Sequence, residues 1–188
     1  MAFIQHSGLE DGLDVELMFT GDRFPVVVGP NLLSSGWRGG TWVVYTTGDQ
    51  DFTVEISDGN LASGFLLFQS ENYQLTPPNG TGPGSPENWI SHQYRQGTGG
   101  QNVTTLCVGG QRAFFKVYET EALAGGVRSG TLTYTLGEKV RVSENGLLCQ
   151  DSDAELANVG IAAPVDVGIV SAIPSEANGN RLCVDINL

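Results

Sequence analysis

The chain has 188 residues, a mass of 19.9 kDa, a formal net charge of −12 and a sequence pI of about 4.3. Its 26 glycines and eight prolines, with charged residues at only 16%, are typical of a turn-rich β protein with a surface of neutral polar side chains. Its negative field repels phosphate backbones and anionic lipid, and no apolar run approaches the ~20 residues that span a bilayer. We therefore expect neither nucleic acid nor membrane as a partner.

Residues 1–10 are predicted to form an N-terminal arm. This segment has neither the basic start nor the apolar core of a secretory signal, so we expect the chain to be made and folded in a cytoplasm. Phe3 and Ile4 are its apolar residues of interest, because bulky side chains in an arm can anchor it to a neighbouring molecule.

Five strand signals follow, separated by turn-forming residues. They cover residues 13–19, 24–28, 41–46, 52–56 and 61–69. Their spacing of about ten residues predicts a β-sandwich or barrel rather than βαβ units. Apolar and polar residues alternate cleanly in 52–56, so one face of that strand is predicted to be buried and the other to be wet or covered by a partner.

Residues 76–101 form a long predicted loop rich in proline and glycine. A loop of this length inside a compact domain is usually functional or disordered. Trp89, Ile90 and Tyr94 are bulky groups in an otherwise polar stretch, and large aromatic side chains of this kind often bind in a neighbour's pocket. The alternative is that Trp89 packs back on its own β core.

Residues 102–108 and 113–118 are predicted to form a hairpin around Gly109 and Gly110, and periodicity is lost in 121–126. We place a domain boundary there. The sequence thus predicts an all-β fold with a β-sandwich or barrel-like domain at 11–125, followed by a small β-barrel-like module at 126–188.

The C-terminal module alternates again. Strands are predicted at 131–136, 139–143, 159–163, 167–173 and 181–188, and the best helix signal, 153–157, is barely one turn long. Gly137 and Glu138 are predicted to form a turn, and Asn145 with Gly146 suits a type I′ turn.

The order YTLGEKVRVSENGLL, a polar stretch, ANVGIAAP and a terminal RLCVDINL resembles the C-terminal β module of tailed-bacteriophage capsid decoration proteins, also called cement proteins. Gly146-Leu147-Leu148 and Val159-Gly160-Ile161-Ala162 match that family's pattern closely, whereas Glu138 stands where the family often has Asp. The resemblance covers residues 130–188, and its motifs consist of turn glycines and aliphatic residues. A generic small antiparallel barrel needs the same residues whatever its role, because fold and function need not travel together.

The resemblance implies a virion structural protein that binds the outer surface of an assembled capsid and bridges neighbouring coat subunits. Its expected partners are the major capsid protein and further copies of itself, as a homotrimer. The predicted capsid or inter-subunit contacts are Phe3, Ile4, Trp89, Ile90 and Tyr94. The alternative is a virion appendage or lectin-like module that stacks Trp37, Trp42 and Trp89 on sugar rings, although Trp42, followed by two valines, is expected in the core.

Sequence patterns of reactive groups are sparse, so we predict no catalytic residue, no cofactor, no metal site and no enzymatic activity. A catalytic relay would need His92, since the other histidine, His6, lies in the arm. The acidic pairs are expected to cap turns, with calcium binding or carboxylate catalysis as alternatives. They are Glu10 and Asp11 with Asp14 and Glu16, Asp49 with Asp51, and Asp151 with Asp153 and Glu155. Cys107, Cys149 and Cys183 are expected to be reduced thiols, and Cys149 with Cys183 is the plausible pair if a disulfide forms.

Overall fold

The structure is a computed structural model that describes residues 15–17, 22–29, 31–32, 39–46, 53–66, 103–108 and 112–187. Within these ranges the regular secondary structure is mostly β-strand, arranged in three sheets. Helical structure there amounts to residues 31–32, helix α1 (Asp153–Asn158) and a single 3-10 turn (Glu176–Asn178). The predicted all-β class is confirmed.

The first half of the chain forms a closed five-stranded barrel, one of the two architectures that its strand spacing predicted. β1 (Val15–Leu17) lies outside it, and its strands are β2 (Asp22–Val28), β3 (Trp42–Tyr45), β4 (Thr53–Ile56), β5 (Gly64–Leu66) and β6 (Val103–Val108). They pair in the order β2-β4-β3-β5-β6; among the described residues the pairings are antiparallel except that of β2 with β4, which is parallel.

The alternation predicted for 52–56 does not appear in the burial of β4. Thr53 and Val54 are both buried, while Glu55 and Ile56 are half-buried. The carboxylate of Glu55 accepts hydrogen bonds from the backbone amide of Leu32, at 2.8 Å, and from that of the preceding residue. Glu55 is partly covered because its carboxylate satisfies two backbone amides that begin a helical turn.

The second sheet has six strands. They are β1, β7 (Arg112–Phe115), β10 (Lys139–Val142), β11 (Leu148–Cys149), β12 (Asp166–Ala172) and β13 (Leu182–Ile186). Their order is β1-β7-β13-β12-β10-β11, with antiparallel pairing throughout. The predicted β6–β7 hairpin is wrong, since these strands lie in different sheets. The six-stranded sheet also takes strands from both sides of the boundary predicted near residue 125, and the division into domains stays a prediction.

A two-stranded hairpin lies where the sequence shows no periodicity. β8 (Leu123–Ala124) pairs with β9 (Val127–Arg128) around Gly125 and Gly126, whose φ angles are 60° and 80°. Positive φ at both central residues is the requirement of a type I′ turn, which two glycines meet without steric cost.

Two of the predicted C-terminal strands are wrong. Residues 131–135 carry the predicted alternation of burial, with Leu132 and Tyr134 turned inward, but they form no ladder. Residues 159–163 instead end helix α1: Val159 is the C-cap, Gly160 has a φ of 91°, and the amide of Ile161 bonds to the carbonyl of Leu156 at 3.0 Å. Alternation predicts which side chains face inward but not whether a partner strand is present.

The turn at Asn145 and Gly146 exists but is not of type I′. Gly146 has a φ of 70°, while the one non-glycine residue with positive φ in the described ranges is Asn180. The amide of Gly146 bonds to the carbonyl of Ser143 at 3.0 Å, and the amide of Ser143 bonds to the carbonyl of Leu147 at 2.7 Å. This is a three-residue hairpin loop with glycine in the left-handed position, the next most common class after two-residue turns.

The barrel and the six-stranded sheet share one hydrophobic core. Trp42 and Phe65 of the barrel pack with Phe115 of the sheet, with ring centroids 5.1–6.5 Å apart. A smaller cluster contains Leu123, Cys149, Leu156 and Ile161, and it buries the apolar side of helix α1.

Candidate functional site

The contact residues that the sequence predicts lie outside the described part of the chain. They are Phe3, Ile4, Trp89, Ile90 and Tyr94. The same holds for Trp37, His6, His92, Asp49 and Asp51, so the structure adds no geometry to the catalytic relay or to the pair of Asp49 with Asp51. These assignments remain predictions.

Trp42 is a core residue, as expected. Its side chain is fully buried between Phe65 and Phe115, and its indole nitrogen has no hydrogen-bond partner within the described ranges. A buried indole cannot stack on a sugar ring, so the carbohydrate hypothesis loses one of its three tryptophans.

Among the described residues, an extensively hydrogen-bonded polar group is the Arg128 cluster, which consists of Arg128, Glu119, Glu144 and Asp151. The guanidinium binds both carboxylate oxygens of Glu144, at 2.8 and 2.9 Å, and lies 3.1 Å from Asp151 Oδ2 and 3.4 Å from Glu119 Oε2. It also donates to the carbonyl oxygen of Glu121 at 2.6 Å. One arginine therefore joins β9 to the segment that precedes the β8–β9 hairpin, to the β10–β11 turn and to the segment after β11.

Further hydrogen bonds hold these carboxylates. Glu119 Oε1 accepts from the hydroxyl of Ser143 at 2.7 Å and from Nδ2 of Asn145 at 2.9 Å. Asp151 Oδ1 accepts from the amide of Leu123 at 2.8 Å. The hydroxyl of Tyr134 lies 2.8 Å from the carbonyl oxygens of Glu119 and Leu148.

The electrostatics of the Arg128 cluster favour a fixed ion network. Burial alone would lower the pKa of Arg128, but its hydrogen bonds to Glu144 and the negative charges of Glu119, Glu144 and Asp151 outweigh burial and raise it. A guanidinium is not deprotonated in proteins, so it cannot exchange protons with a substrate. The cluster thus binds chain segments together, and Asp151, counted in the sequence as part of an acidic pair, is buried within it.

The sequence patterns did not predict this cluster. Arg128 and its three carboxylates are spread over 33 positions, from Glu119 to Asp151. Their spacing follows no motif because they meet through turns of different strands. A local signal that was interpreted only as a domain boundary is the glycine pair at 125–126, which suits the turn of a hairpin whose second strand carries Arg128.

Exposed aliphatic side chains form a second feature of the C-terminal half. Val127 and Leu136 are each 65% exposed, Ile173 47% and Ile169 39%. Leu136 lies in a turn in which the amide of Gly137 bonds to the carbonyl of Val170 at 2.9 Å, so it lies beside β12, which carries Ile169. We call Leu136, Ile169 and Ile173 the aliphatic patch.

Ion pairs lie next to the aliphatic patch on the outer face of the sheet. The strand register aligns Lys139, Ile169, Asp185 and Arg112 in one row across four strands. Arg112 binds Asp185 with both oxygens engaged, and its hydrogen bond to Asp185 lowers the pKa of that carboxyl. Both side chains of this pair are substantially exposed, so the pair contributes little to stability.

The two described cysteine side chains are free and buried. Burial raises the pKa of Cys149 to about 12, and it raises that of Cys183 as well. Cys149 packs in the smaller cluster, while Cys183 Sγ accepts a hydrogen bond from the hydroxyl of Ser171 at 3.2 Å. Neither thiol has the depressed pKa of a reactive cysteine.

Within the described residues, no group of three or more His, Cys, Asp or Glu side chains is placed to hold a metal ion. A helix long and apolar enough to cross a membrane is likewise not found there. Compared with family models, curated proteins and solved structures, the chain matches none of them.

Proposed function

We propose that the protein is a virion structural protein that binds the outer surface of an assembled phage capsid and stabilises it by bridging neighbouring coat subunits. The resemblance of residues 130–188 to capsid decoration proteins suggests this role. The observation that carries it is the aliphatic patch, which the same segment presents to solvent on hydrogen-bonded backbone. Exposed apolar patches on soluble proteins mark protein-binding surfaces when they are contiguous, and contiguity of these three side chains is part of the proposal.

The backbone beneath the aliphatic patch supports a docking role. The turn that carries Leu136 is closed by a 3.3 Å bond from the amide of Glu138 to the carbonyl of Thr135. Ile169 lies in the middle of β12, paired on both sides, and the carbonyl of Ile173 accepts a hydrogen bond from Asn178 at 2.9 Å. A preorganised surface loses little conformational entropy when it binds, so more of its apolar burial is retained as affinity.

Stabilisation of a capsid follows from mass action. A protein that binds the assembled shell but not its separated subunits adds its binding free energy to the cost of disassembly. As a homotrimer it would place three copies of its contact surface around one local three-fold axis, in a closed cyclic arrangement. In this proposal it is made in the host cytoplasm, acts on the outer capsid surface, has the major capsid protein as its partner and needs no cofactor or catalysis.

A co-sedimentation assay tests the proposal with capsids of the source virus stripped of accessory proteins. Fully burying an aliphatic side chain contributes about 1.5–3 kcal/mol. Because Leu136 and Ile173 are already partly covered, the double variant Leu136→Ser with Ile173→Ser is expected to lose about 2 kcal/mol, roughly 30-fold in Kd. Leu61→Ser is the matched control, because Leu61 is 64% exposed and precedes β5 of the barrel.

Binding with unchanged affinity by the double variant would remove the aliphatic patch from the interface. Two further variants extend the test: one deletes residues 2–9, which include Phe3 and Ile4, and the other carries Trp89→Ala. Each is expected to lower the occupancy of the capsid. If the wild-type chain does not bind these capsids at any concentration, or if the source is not a virus, the proposed function is wrong.

A further inference from the structure

The turn between β10 and β11 contains a chemically labile pair, Asn145 followed by Gly146. In such a pair the backbone nitrogen of the glycine loses its proton and attacks Cγ of the asparagine. The side-chain amide leaves as ammonia and a five-membered succinimide forms, which water opens to aspartate or isoaspartate. Glycine favours this reaction because it has no Cβ to hinder the nitrogen or restrict the backbone.

The fold itself requires glycine at position 146. Its φ of 70° lies in the left-handed region, and an added Cβ would lie 2.7 Å from Ile56 Cγ2 and 2.9 Å from the carbonyl oxygen of Trp42. The fold uses asparagine at 145 for a different reason, since its Nδ2 donates to the buried carboxylate of Glu119. Two independent structural contacts therefore create the labile pair.

The same contacts hold both reacting groups. The nitrogen of Gly146 is the donor of the 3.0 Å bond to Ser143, and the carbonyl of Gly146 accepts from the amide of Trp42 at 2.8 Å. The side-chain nitrogen Nδ2 of Asn145 lies 2.9 Å from Glu119 Oε1 and 3.4 Å from Glu144 Oε1. Attack on Cγ needs rotation about bonds that these contacts fix, so the turn must open before reaction.

We propose that Asn145 is a deamidation site that the fold keeps unreacted, and that its modification marks molecules in which the β10–β11 turn has opened. The product would not restore the turn. A carboxylate would replace the donor that faces Glu119, beside a cluster that already holds three carboxylates and one arginine, a formal charge of −2. Isoaspartate would also lengthen the three-residue loop by one backbone atom.

A second pair, Asn178 and Gly179, gives an internal comparison. The side chain of Asn178 bonds to the backbone at Ser175, Ile173 and Arg181, and the amide of Gly179 bonds to the carbonyl of Glu176 at 3.2 Å. Gly179 is exposed, and its φ of 68° leaves an added Cβ with no neighbour closer than 3.8 Å. This turn does not contact the Arg128 cluster through any of these bonds.

Peptide mass spectrometry tests the proposal on the full-length chain, incubated at pH 9 in native buffer and in concentrated guanidinium. Deamidation at Asn145 is expected to be at least about 10-fold slower in the native chain, because reaction is limited to locally opened molecules. Equal rates in the two conditions would overturn the proposal.

Ser143→Ala supplies the second variant, since the hydroxyl of Ser143 accepts from the amides of Asn145 and Leu147. The variant is expected to raise the native rate at Asn145 several-fold while leaving the rate at Asn178 and the denatured rates unchanged. Equal acceleration at both sites, or none at Asn145, would contradict the assignment. Deamidated chain separated by anion exchange should unfold at lower urea than an Asn178→Asp variant, and an equal midpoint would show that the product does not disturb the cluster.

Discussion

Arg128→Met leaves the three carboxylates of the Arg128 cluster without their shared cation while keeping an unbranched side chain. Removing one partner of a buried ion pair costs about 3–5 kcal/mol, because the remaining charge stays desolvated. The side chains of Arg128 and Asp151 are only 12% and 2% exposed, so breaking this pair should cost an amount within that range. Glu144 is 26% exposed and can turn toward water, which reduces the cost. We therefore expect a loss of about 3–4 kcal/mol in the free energy of unfolding.

Urea unfolding, followed by tryptophan fluorescence and linear extrapolation, measures this loss. Arg128→Lys keeps the charge but not the two-pronged contact with Glu144, so it should lose only about 1–2 kcal/mol. Arg112→Met is the matched control, since it breaks an ion pair whose two side chains are each 41% exposed and should cost at most about 1 kcal/mol. A loss for Arg128→Met no larger than that for Arg112→Met would refute the assignment of Arg128 as a structural tie.

Three further outcomes are expected. Gly146→Ala should lower the free energy of unfolding in urea by about 3 kcal/mol, because it adds left-handed backbone strain and steric overlap. Gly137→Ala should lower it by only about 1 kcal/mol, because Gly137 has a φ of 81° but no atom within 4 Å of an added Cβ. Equal losses would contradict the close packing around Gly146. Tyr134→Phe should lose about 1 kcal/mol in the same assay, because it removes the hydroxyl donor that the carbonyl oxygens of Glu119 and Leu148 share, although Leu148 still accepts from the amide of Glu119; a neutral result would count against that role. Hydrogen bonds from basic partners lower the pKa values of Asp166 and Asp185. The stability that these carboxylates contribute above pH ~4 should therefore be lost as the pH drops through their lowered pKa values. If the thermal midpoint of Asp185→Asn falls with pH as much as that of the wild type, Asp185 is not a source of this dependence.

Local patterns predicted the strands of this chain better than their partners. Alternation located β10, β12 and β13, because each strand has one face in the core and side chains of a strand alternate between faces. The same pattern at 131–136 correctly pointed Leu132 and Tyr134 inward, yet no ladder formed there. Which strand lies beside another depends on contacts between distant residues, and the adjacent β6 and β7 consequently enter different sheets.

The candidate site shows the same division. Exposed aliphatic residues such as Leu136 cannot be distinguished from core residues in a sequence, since both occur in alternating segments. The Arg128 cluster joins residues whose separation carries no period, so only the folded chain brings Glu119, Glu144 and Asp151 to one guanidinium.

Composition and periodicity by themselves determined the all-β class, the acidic surface, the positions of most strands and the burial of Trp42, because these depend on local hydrophobicity and backbone preference. Tertiary structure decided the barrel closure, the joining of early and late strands in one sheet and the exposure of the aliphatic patch. It also decided that Asn145 and Gly146 are held by Glu119 and Ser143. Each of these depends on contacts between residues far apart in the chain, which no local pattern encodes.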